Sequence, residues 1–591
     1  MENVNIFING VSYSVPKNFT VLEAARQVGI EIPTLCYLKE INEIGACRIC
    51  MVEVAEGPRP KRLVTACVYP VSEGMQVFTN TPKVIASRRT TLELILSTHD
   101  KKCLTCVRSG DCELQKLCKD YGIDDANRFA GDRTEYDVDA TAAHMVRDNN
   151  KCILCRRCSA TCAKIQDIGV IGANDRGFAT HIGCAFEKDL GEIACISCGQ
   201  CIVACPTGAL YEKDQIDEVM DYLADPSKHV IVNTAPSIRV TLGECFGNPV
   251  GTNVKGKMVA ALRRLGFAGV FDTDLAADLT IVEEANELLQ RVKNGGVLPM
   301  ITSCSPGWVK YCEHYMPEFI PNLSTCKSPQ QMFGALAKTY YADKMGIDPA
   351  DIIVVSVMPC TAKKFEVGRD GEAAAGVPDV DVALTTRELA RLIDRAGIRF
   401  NELPDEEFDA PLGESTGAAV IFGATGGVME AALRTAVEWL TGDELKALEF
   451  TDVRGIEGIK EASYKVGDLE VKVAVASSIS CAKKLLTKIK NGEATYHFIE
   501  IMGCPGGCVA GGGQPYVQPC FLPNEDADIL DTFKAKRAAA LYQEDESKLL
   551  RCSHKNPQIA KLYEEYLGEP NSHKAHELLH THYSAREKFS N

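Results

Sequence analysis

CISCGQCIVACP, from Cys195 to Pro206, sets four cysteines at the spacing C-x2-C-x2-C-x3-C and closes them with proline. The same spacing occurs upstream at Cys152, Cys155, Cys158 and Cys162. In paired runs of this kind the fourth cysteine of each run ligates the cluster of the other. One [4Fe-4S] cubane is therefore expected on Cys152, Cys155, Cys158 and Cys205, and a second on Cys195, Cys198, Cys201 and Cys162. Zinc sites have no need of such an exchange, so iron-sulfur cubanes are the reading for this segment.

Working outward toward the N-terminus, His99, Cys103, Cys106 and Cys112 lie in THDKKCLTCVRSGDC, a stretch too polar and glycine-punctuated to form an apolar core. A metal has to organise it. One imidazole and three thiolates suit zinc or a [4Fe-4S] cluster equally by ligand type, and the neighbouring cubane runs favour the cluster. Cys36, Cys47, Cys50 and Cys67 follow a C-x10-C-x2-C-x16-C pattern. Four soft thiolates suit a [2Fe-2S] cluster, with a structural zinc site as the competing reading. Ahead of them, Asn9-Gly10 sits between two alternating apolar stretches and predicts a hairpin. Thr20 and Glu23 form a capping box that opens a helix ending at Gly29. Cluster after cluster, the first third of the chain reads as a path for electrons.

At 591 residues the chain exceeds what one hydrophobic core supports, so several domains are expected. It opens with no basic-then-apolar leader and carries no long apolar run, which predicts a cytoplasmic protein outside the membrane. In a reducing compartment its 27 cysteines mean metal ligation before disulfides. A net charge of -16 argues against a nucleic-acid partner. The cysteines Cys118, Cys184, Cys245, Cys312, Cys481, Cys520 and Cys552 have no ligand spacing, and most read as buried small hydrophobes.

After Tyr211 cysteines thin out, and apolar runs such as VIVNTAP (Val230–Pro236) and IIVVSVMPC (Ile352–Cys360) alternate with helical patterns. Such runs suit buried parallel strands of an α/β domain, whose functional groups collect beyond the carboxyl ends of the strands. Cys360 sits at such an end. VMEAALRTAVEWLTG, from Val428 to Gly442, reads as a packing helix with a glycine stop. TSCSPGW, MPCTAKKFE, IFGATGG and EIMGCPGGCVAGGGQP stand out from this background. No glycine cluster has the context of a dinucleotide or phosphate loop. The dense glycine around Cys504 and Cys508 predicts backbone approaching a bulky group closely.

Three of those stretches, TSCSPGW, MPCTAKKFE and EIMGCPGGCVAGGGQP, resemble the signature motifs of the [FeFe]-hydrogenases, and the N-terminal series is similar to the relay of the large clostridial-type members. The resemblance covers nearly the whole chain. It implies a multidomain α+β and α/β fold: a β-grasp ferredoxin-like domain (1–80), a small one-His three-Cys cluster domain (81–125), a bacterial-type two-[4Fe-4S] ferredoxin domain (126–211) and a large α/β catalytic domain (212–591). The implied cofactors are one [2Fe-2S] cluster, three accessory [4Fe-4S] clusters and an H-cluster. In the last, a [4Fe-4S] cubane shares a cysteine with a diiron unit bearing carbon monoxide, cyanide and a bridging amine dithiolate. By resemblance Cys360, Cys504 and Cys508 are ligands, with Cys508 at the bridging position. Pro236, Ser237, Gln330, Met358, Phe422 and Met502 match the shell of the diiron unit, and Lys363 matches the ammonium that hydrogen-bonds cyanide.

The proton path of the family maps onto Cys304, Glu284, Ser324 and Glu287, ending near Arg291. In TIVEEANELLQRV the spacing of Glu284 and Glu287 puts both carboxylates on one helix face, which a solvated face would also permit. Ser305 departs from the family pattern, which has a second cysteine there as the fourth cubane ligand. A hydroxyl oxygen is harder and far less acidic than a thiol. Three outcomes follow: Ser305 supplies an oxygen ligand while Cys304 stays in the proton path, Cys304 swings to the cubane, or Cys326 lends its thiolate. Keeping Cys304 in the path is the favoured arrangement.

The implied activity is 2 H+ + 2 e- ⇌ H2, with a ferredoxin as electron donor or acceptor and maturation proteins to install the diiron unit. One alternative is the catalytic subunit of an electron-bifurcating complex, with a flavin- and NADH-binding subunit and a small iron-sulfur subunit on other chains. An alternative of another class is a hydrogenase-like assembly or relay protein without hydrogen chemistry.

Overall fold

Asn9 and Gly10 both take positive φ, 51° and 88°. This is the primed turn whose twist matches that of paired strands, so it joins β1 (Asn3–Ile8) to β2 (Val11–Pro16) as the expected antiparallel hairpin. The computed structural model describes residues 2–445, 448–466, 469–516 and 529–588. Strands β3 (Met51–Ala55), β4 (Arg62–Thr65) and β5 (Gln76–Phe78) complete a sheet of order β2-β1-β5-β3-β4. Helix Val21–Gln27 starts at the capping box: Glu23 N–H donates to Thr20 Oγ1 (3.3 Å) and Thr20 N–H to the Glu23 carboxylate (2.8 Å). Its buried face of Val21, Leu22, Ala24 and Ala25 shares one core with Ile6, Ile8, Val52 and Val77. Short strands β6 (Met145–Arg147), β7 (Ile171–Asn174), β8 (His181–Cys184) and β9 (Leu210–Glu212) flank the paired cysteine runs in sequence.

The chain divides into two units, the first holding residues up to Ile193 together with Gln200–Tyr211. The second contains Ala194–Gly199, Glu212–Pro515 and the chain from Asp531 onward. Its first sheet is parallel throughout, with β10 (His229–Thr234), β11 (Gly269–Asp272), β13 (Ile352–Met358) and β14 (Val382–Thr385) in the order β11-β10-β13-β14. Every residue of β13 is buried. A strand covered on both faces has no polar side to alternate with, which is why IIVVSVM is a continuous apolar run.

The second sheet runs β12-β17-β16-β15, built from β12 (Met300–Ile301), β15 (Ile459–Val466), β16 (Leu469–Ser477) and β17 (Phe498–Met502). It is parallel except for the β15–β16 pair. Helices Asp274–Asn294 and Gly427–Thr441 share one apolar cluster, with Ala277, Ile281 and Leu288 beside Val428, Met429 and Ala432. Gly442, at φ 72°, stops the second helix as its sequence predicts. Among the described residues no helix is long and apolar enough to cross a membrane.

Parallel strands send their carboxyl ends the same way. The segments that follow β10, β12, β13 and β17 are therefore Pro236-Ser237, Cys304-Ser305, Cys360 and Cys504. The turn carrying Pro236 and Ser237 is anchored by Arg239, buried completely between Asp272 (2.7 Å), Asp274 (3.0 Å) and Glu544 (3.0 Å). Removing one charge from such a cluster leaves the others uncompensated out of water. Arg239→Met is therefore expected to cost about 3–5 kcal/mol of stability, read as a lowered thermal midpoint and a loss of folded protein.

Candidate active site and metal centres

In the first unit Cys36, Cys47, Cys50 and Cys67 converge. A hydrogen bond from the Cys47 thiol pulls Cys36 down to about 6 against the opposing effect of burial, and Cys67 lowers Cys50 in the same way. Their partners Cys47 and Cys67 are raised by the same hydrogen bonds. Thiols this close, two of them driven toward thiolate, form a ready-made soft donor set.

The one-His three-Cys set follows. Burial pushes the His99 imidazole down to about 4, so it is neutral, and its Nδ1 has no hydrogen-bond partner among the described residues. An orphaned buried nitrogen four residues ahead of Cys103 suits a metal ligand. Cys106 Sγ packs against Gly208, where a Cβ would come within 2.6 Å of the sulfur. Burial raises Cys112, and Cys106 lies close enough to add to that shift.

Cys152, Cys155, Cys158 and Cys205 line one cavity, together with Ile153, Ile182 and Pro206. The fourth cysteine of the downstream run thus meets the first three of the upstream run, the crossing expected from the spacing. Leu154 and Arg156 take positive φ, 53° and 61°, an unusual conformation for residues with side chains. It turns the Leu154 N–H onto Cys152 Sγ at 3.4 Å. Ser197, at φ 61°, does the same for Cys195 at 3.4 Å. Burial raises the first three thiols of the upstream run, Cys152 to about 12. Cys195 and Cys198 belong to the second unit and Cys162 and Cys201 to the first, so that set remains an expectation from spacing.

In the second unit, Cys360 and Cys508 are close enough that each thiolate would repel the other, and burial pushes Cys508 up to about 12. Phe422 and Met502 share one apolar cluster with Cys304 and Cys508, while Met358 is buried at the end of β13. Ser237 Oγ accepts from Gln514 Nε2 (3.2 Å), which also donates to the Cys508 carbonyl (3.0 Å). Lys363 Nζ donates to Glu366 (2.8 Å) and to the Cys304 carbonyl (3.3 Å). Glu366 also accepts from Ser328 (2.8 Å) and Gln330 (3.2 Å), leaving Gln330 Oε1 buried without a partner among the described residues. Glu366 and Gln514 fall inside the motifs, yet sequence reasoning assigns them no role. Gln514 depends on Ser237, 277 residues away, for which spacing offers no signal, whereas the Glu366 contact with Lys363 lies three residues along one helix and is readable from helical spacing.

The glycine-rich segment is closely packed by neighbouring backbone. Its glycines are required chiefly by neighbouring protein: a Cβ on Gly507 would lie 2.6 Å from the Thr425 amide nitrogen, one on Gly511 2.1 Å from the Pro359 oxygen, and one on Gly512 2.3 Å from the Cys198 oxygen. The loop holding Cys504 and Cys508 is thus pressed against the loop holding Cys360.

Ser305 Oγ accepts from the Gly503 N–H at 3.1 Å, beside Cys504. Cys326 lies elsewhere, with its sulfur 4.0 Å from Glu287. Burial drives the Cys304 thiol well above its ordinary range, helped by Glu284. Burial likewise pushes Glu284 up to about 8, with Glu287 adding to the shift. Ser324 Oγ donates to Glu287 (3.0 Å), and Arg291 donates to the other Glu287 oxygen (2.6 Å). Among the described residues neither oxygen of Glu284 has a partner in hydrogen-bond geometry. Of the residues mapped from sequence, Ser324, Glu287 and the partly exposed Arg291 are joined by these hydrogen bonds, and Glu284 is close enough to Cys304 and Glu287 for their charges to act on one another. Of the cysteines left over, Cys184, Cys312 and Cys552 are buried, Cys118 and Cys481 are intermediate, Cys245 is exposed, and Cys520 lies outside the described residues.

Comparison with known proteins gives matches along most of the chain. Residues 228–512 match the C-terminal domain of the iron-only hydrogenase large subunit, and 531–586 match the iron hydrogenase small subunit. Residues 1–82 match a 2Fe-2S cluster binding domain, 88–127 the NADH-ubiquinone oxidoreductase-G iron-sulfur binding region, and 192–211 a 4Fe-4S binding domain. The chain is 51% identical to the NADP-reducing hydrogenase subunit HndD of Solidesulfovibrio fructosivorans over the full length of both. It is 44% identical to iron hydrogenase 1 of Clostridium pasteurianum, covering 98% of this chain and 99% of that one. A solved variant of the apo [FeFe]-hydrogenase of Chlamydomonas reinhardtii superimposes with a TM-score of 0.55 at 44% identity, over 64% of this chain and 100% of the other. With its cysteine motifs and relatives matched end to end, this chain belongs to the iron-only, or [FeFe], hydrogenase family.

Proposed function

We propose that this chain is the hydrogen-forming and hydrogen-splitting subunit of a larger redox assembly, with electrons passing through its N-terminal iron-sulfur domains. The observation that carries the reading is the corner where the Cys304-Ser305, Cys360 and Cys504–Cys508 loops meet, served by the file Cys304, Glu284, Ser324, Glu287 and Arg291. Full-length likeness to a subunit of an NADP-reducing hydrogenase supports the assembly over a stand-alone enzyme. Electrons are then exchanged with a ferredoxin, and a nicotinamide site belongs to another chain. Copurification of the native protein with a flavin-bearing partner is the expected result.

The donor chemistry fits the family's cluster: soft sulfur from Cys360, Cys504 and Cys508, with a fixed ammonium beside them. When bound, a cubane joined to a diiron unit would supply the centre at which electrons and protons combine. Glu366 holds the Lys363 ammonium in place, so a buried positive charge faces the site without having to reorganise. The Cys304 thiol, kept protonated by its surroundings, can pass a proton inward and recover one from Glu284. Glu284 rests protonated up to about pH 8, and Ser324 and Glu287 continue the file to Arg291. For the fourth cubane position the reading is Ser305, whose oxygen adjoins the Cys504 loop, because Cys326 is committed to the Glu287 end.

Infrared spectra of the matured protein are expected to show carbon monoxide and cyanide bands, alongside hydrogen evolution from reduced ferredoxin; protein made without maturation factors should hold accessory clusters yet lack both. Glu284→Gln should lower hydrogen turnover by about 10²–10⁴-fold while leaving those bands in place. The group also leaves a pH signature. Glu284 keeps its proton up to about pH 8 in the fold but releases it near 4.5 when unfolded, so stability declines progressively between those values. Glu284→Gln should flatten that decline in pH-dependent melting. Ser305→Cys should keep turnover and change the electron paramagnetic resonance of the cubane; an unaltered signal would count against oxygen ligation.

A further inference from the structure

Cys326 and His580 face each other across an isolated antiparallel bridge, flanked by hydrogen bonds from Lys327 N–H to the Leu579 carbonyl and from Thr581 N–H to the Thr325 carbonyl, each 2.8 Å. Such a pairing brings two side chains directly opposite one another. Glu287 approaches from helix Asp274–Asn294, so that one donor atom from each of Glu287, Cys326 and His580 lies within 4.8 Å of the others. Cys326 is fully buried and the His580 ring nearly so, while the Glu287 side chain is 12% exposed beside Arg291. This trio is separate from the cysteine sets above.

From this arrangement we infer a binding site for a zinc-type divalent cation on Cys326, His580 and Glu287. The donors are one thiol, one imidazole nitrogen and one carboxylate oxygen, a mixture that suits zinc and leaves a fourth, open position. The second layer is already built. His580 Nε2 is 3.2 Å from Glu283, a carboxylate that fixes the ring with Nδ1 toward Thr325 Oγ1 at 2.8 Å. A ligating histidine usually gives its other N–H to such a carboxylate, which sets the tautomer and strengthens the ligand. Glu283 is itself held by the Tyr563 hydroxyl and by the Asn571 N–H (2.8 Å). Zinc distances of about 2.0–2.3 Å require the three donors to close in, and the Thr325 hydroxyl to turn aside. Binding releases the Cys326 proton to solvent.

The consequence for turnover rests on the reading that Glu287 carries protons. A cation on its carboxylate would block the outer end of the file, making hydrogen turnover sensitive to zinc. The test adds zinc to the matured, cluster-replete enzyme, with iron per chain checked before and after. Zinc X-ray absorption should show one sulfur at about 2.3 Å with nitrogen and oxygen near 2.0–2.2 Å. Hydrogen evolution should fall by about tenfold or more and return on chelation. Cys326→Ser and His580→Gln should each lose one bound zinc per chain and the inhibition, and Glu283→Gln should weaken zinc binding by about 10–100-fold. Zinc without a sulfur neighbour, or undiminished binding in Cys326→Ser, would overturn the site. Zinc bound as described with turnover unmoved would support the site and overturn the role of Glu287 in proton delivery.

Discussion

Burying a thiol favours its neutral form, and a protein that gathers ligand sulfurs in its interior works against their ionisation until a cation arrives. Cys152, Cys155, Cys158, Cys360 and Cys508 are all raised by burial. The fold therefore prepares the positions of these sulfurs and leaves their charge to the iron. Where the protein does supply charge, it fixes it firmly: Lys363 is held by Glu366, and Arg239 by three carboxylates under the turn that carries Ser237. Metal binding and folding are coupled on this account, because a donor set kept protonated gains most of its stability only when the metal displaces those protons.

Much of this is legible from the residues alone. The Asn9-Gly10 turn and the Thr20–Glu23 capping box are local chemistry, and each has the geometry its residues require. The run IIVVSVM reports a strand covered on both faces because every residue in it but Ser356 is apolar. The meeting of Cys205 with Cys152, Cys155 and Cys158 is legible because the spacing itself encodes the exchange.

What spacing cannot carry are the partners of the site. Gln514 reaches Ser237 and Glu283 reaches His580, pairs separated by 277 and 297 residues. Such contacts arise when remote segments of the chain pack together, and neither residue has a neighbour in sequence that announces them. The glycines near Cys508 show the same limit from another side. Their number is readable as a demand for close approach, and the backbone of Pro359 and Thr425 makes such an approach. That closeness couples the cysteine loops to one another, so a single added methyl group at Gly511 would act on Cys360 as well as on Cys508.

His580 lies in a C-terminal segment that matches the small-subunit family, whereas Cys326 and Glu287 lie in the stretch that matches the large subunit. Here both are carried on one polypeptide. Covalent tethering makes the docking of that tail an intramolecular event, at an effective concentration on the order of millimolar. A protease nick upstream of Ile529 would convert it into a dissociable peptide that must find its seat by diffusion, and dilution would then leave Glu287 without His580 beside it.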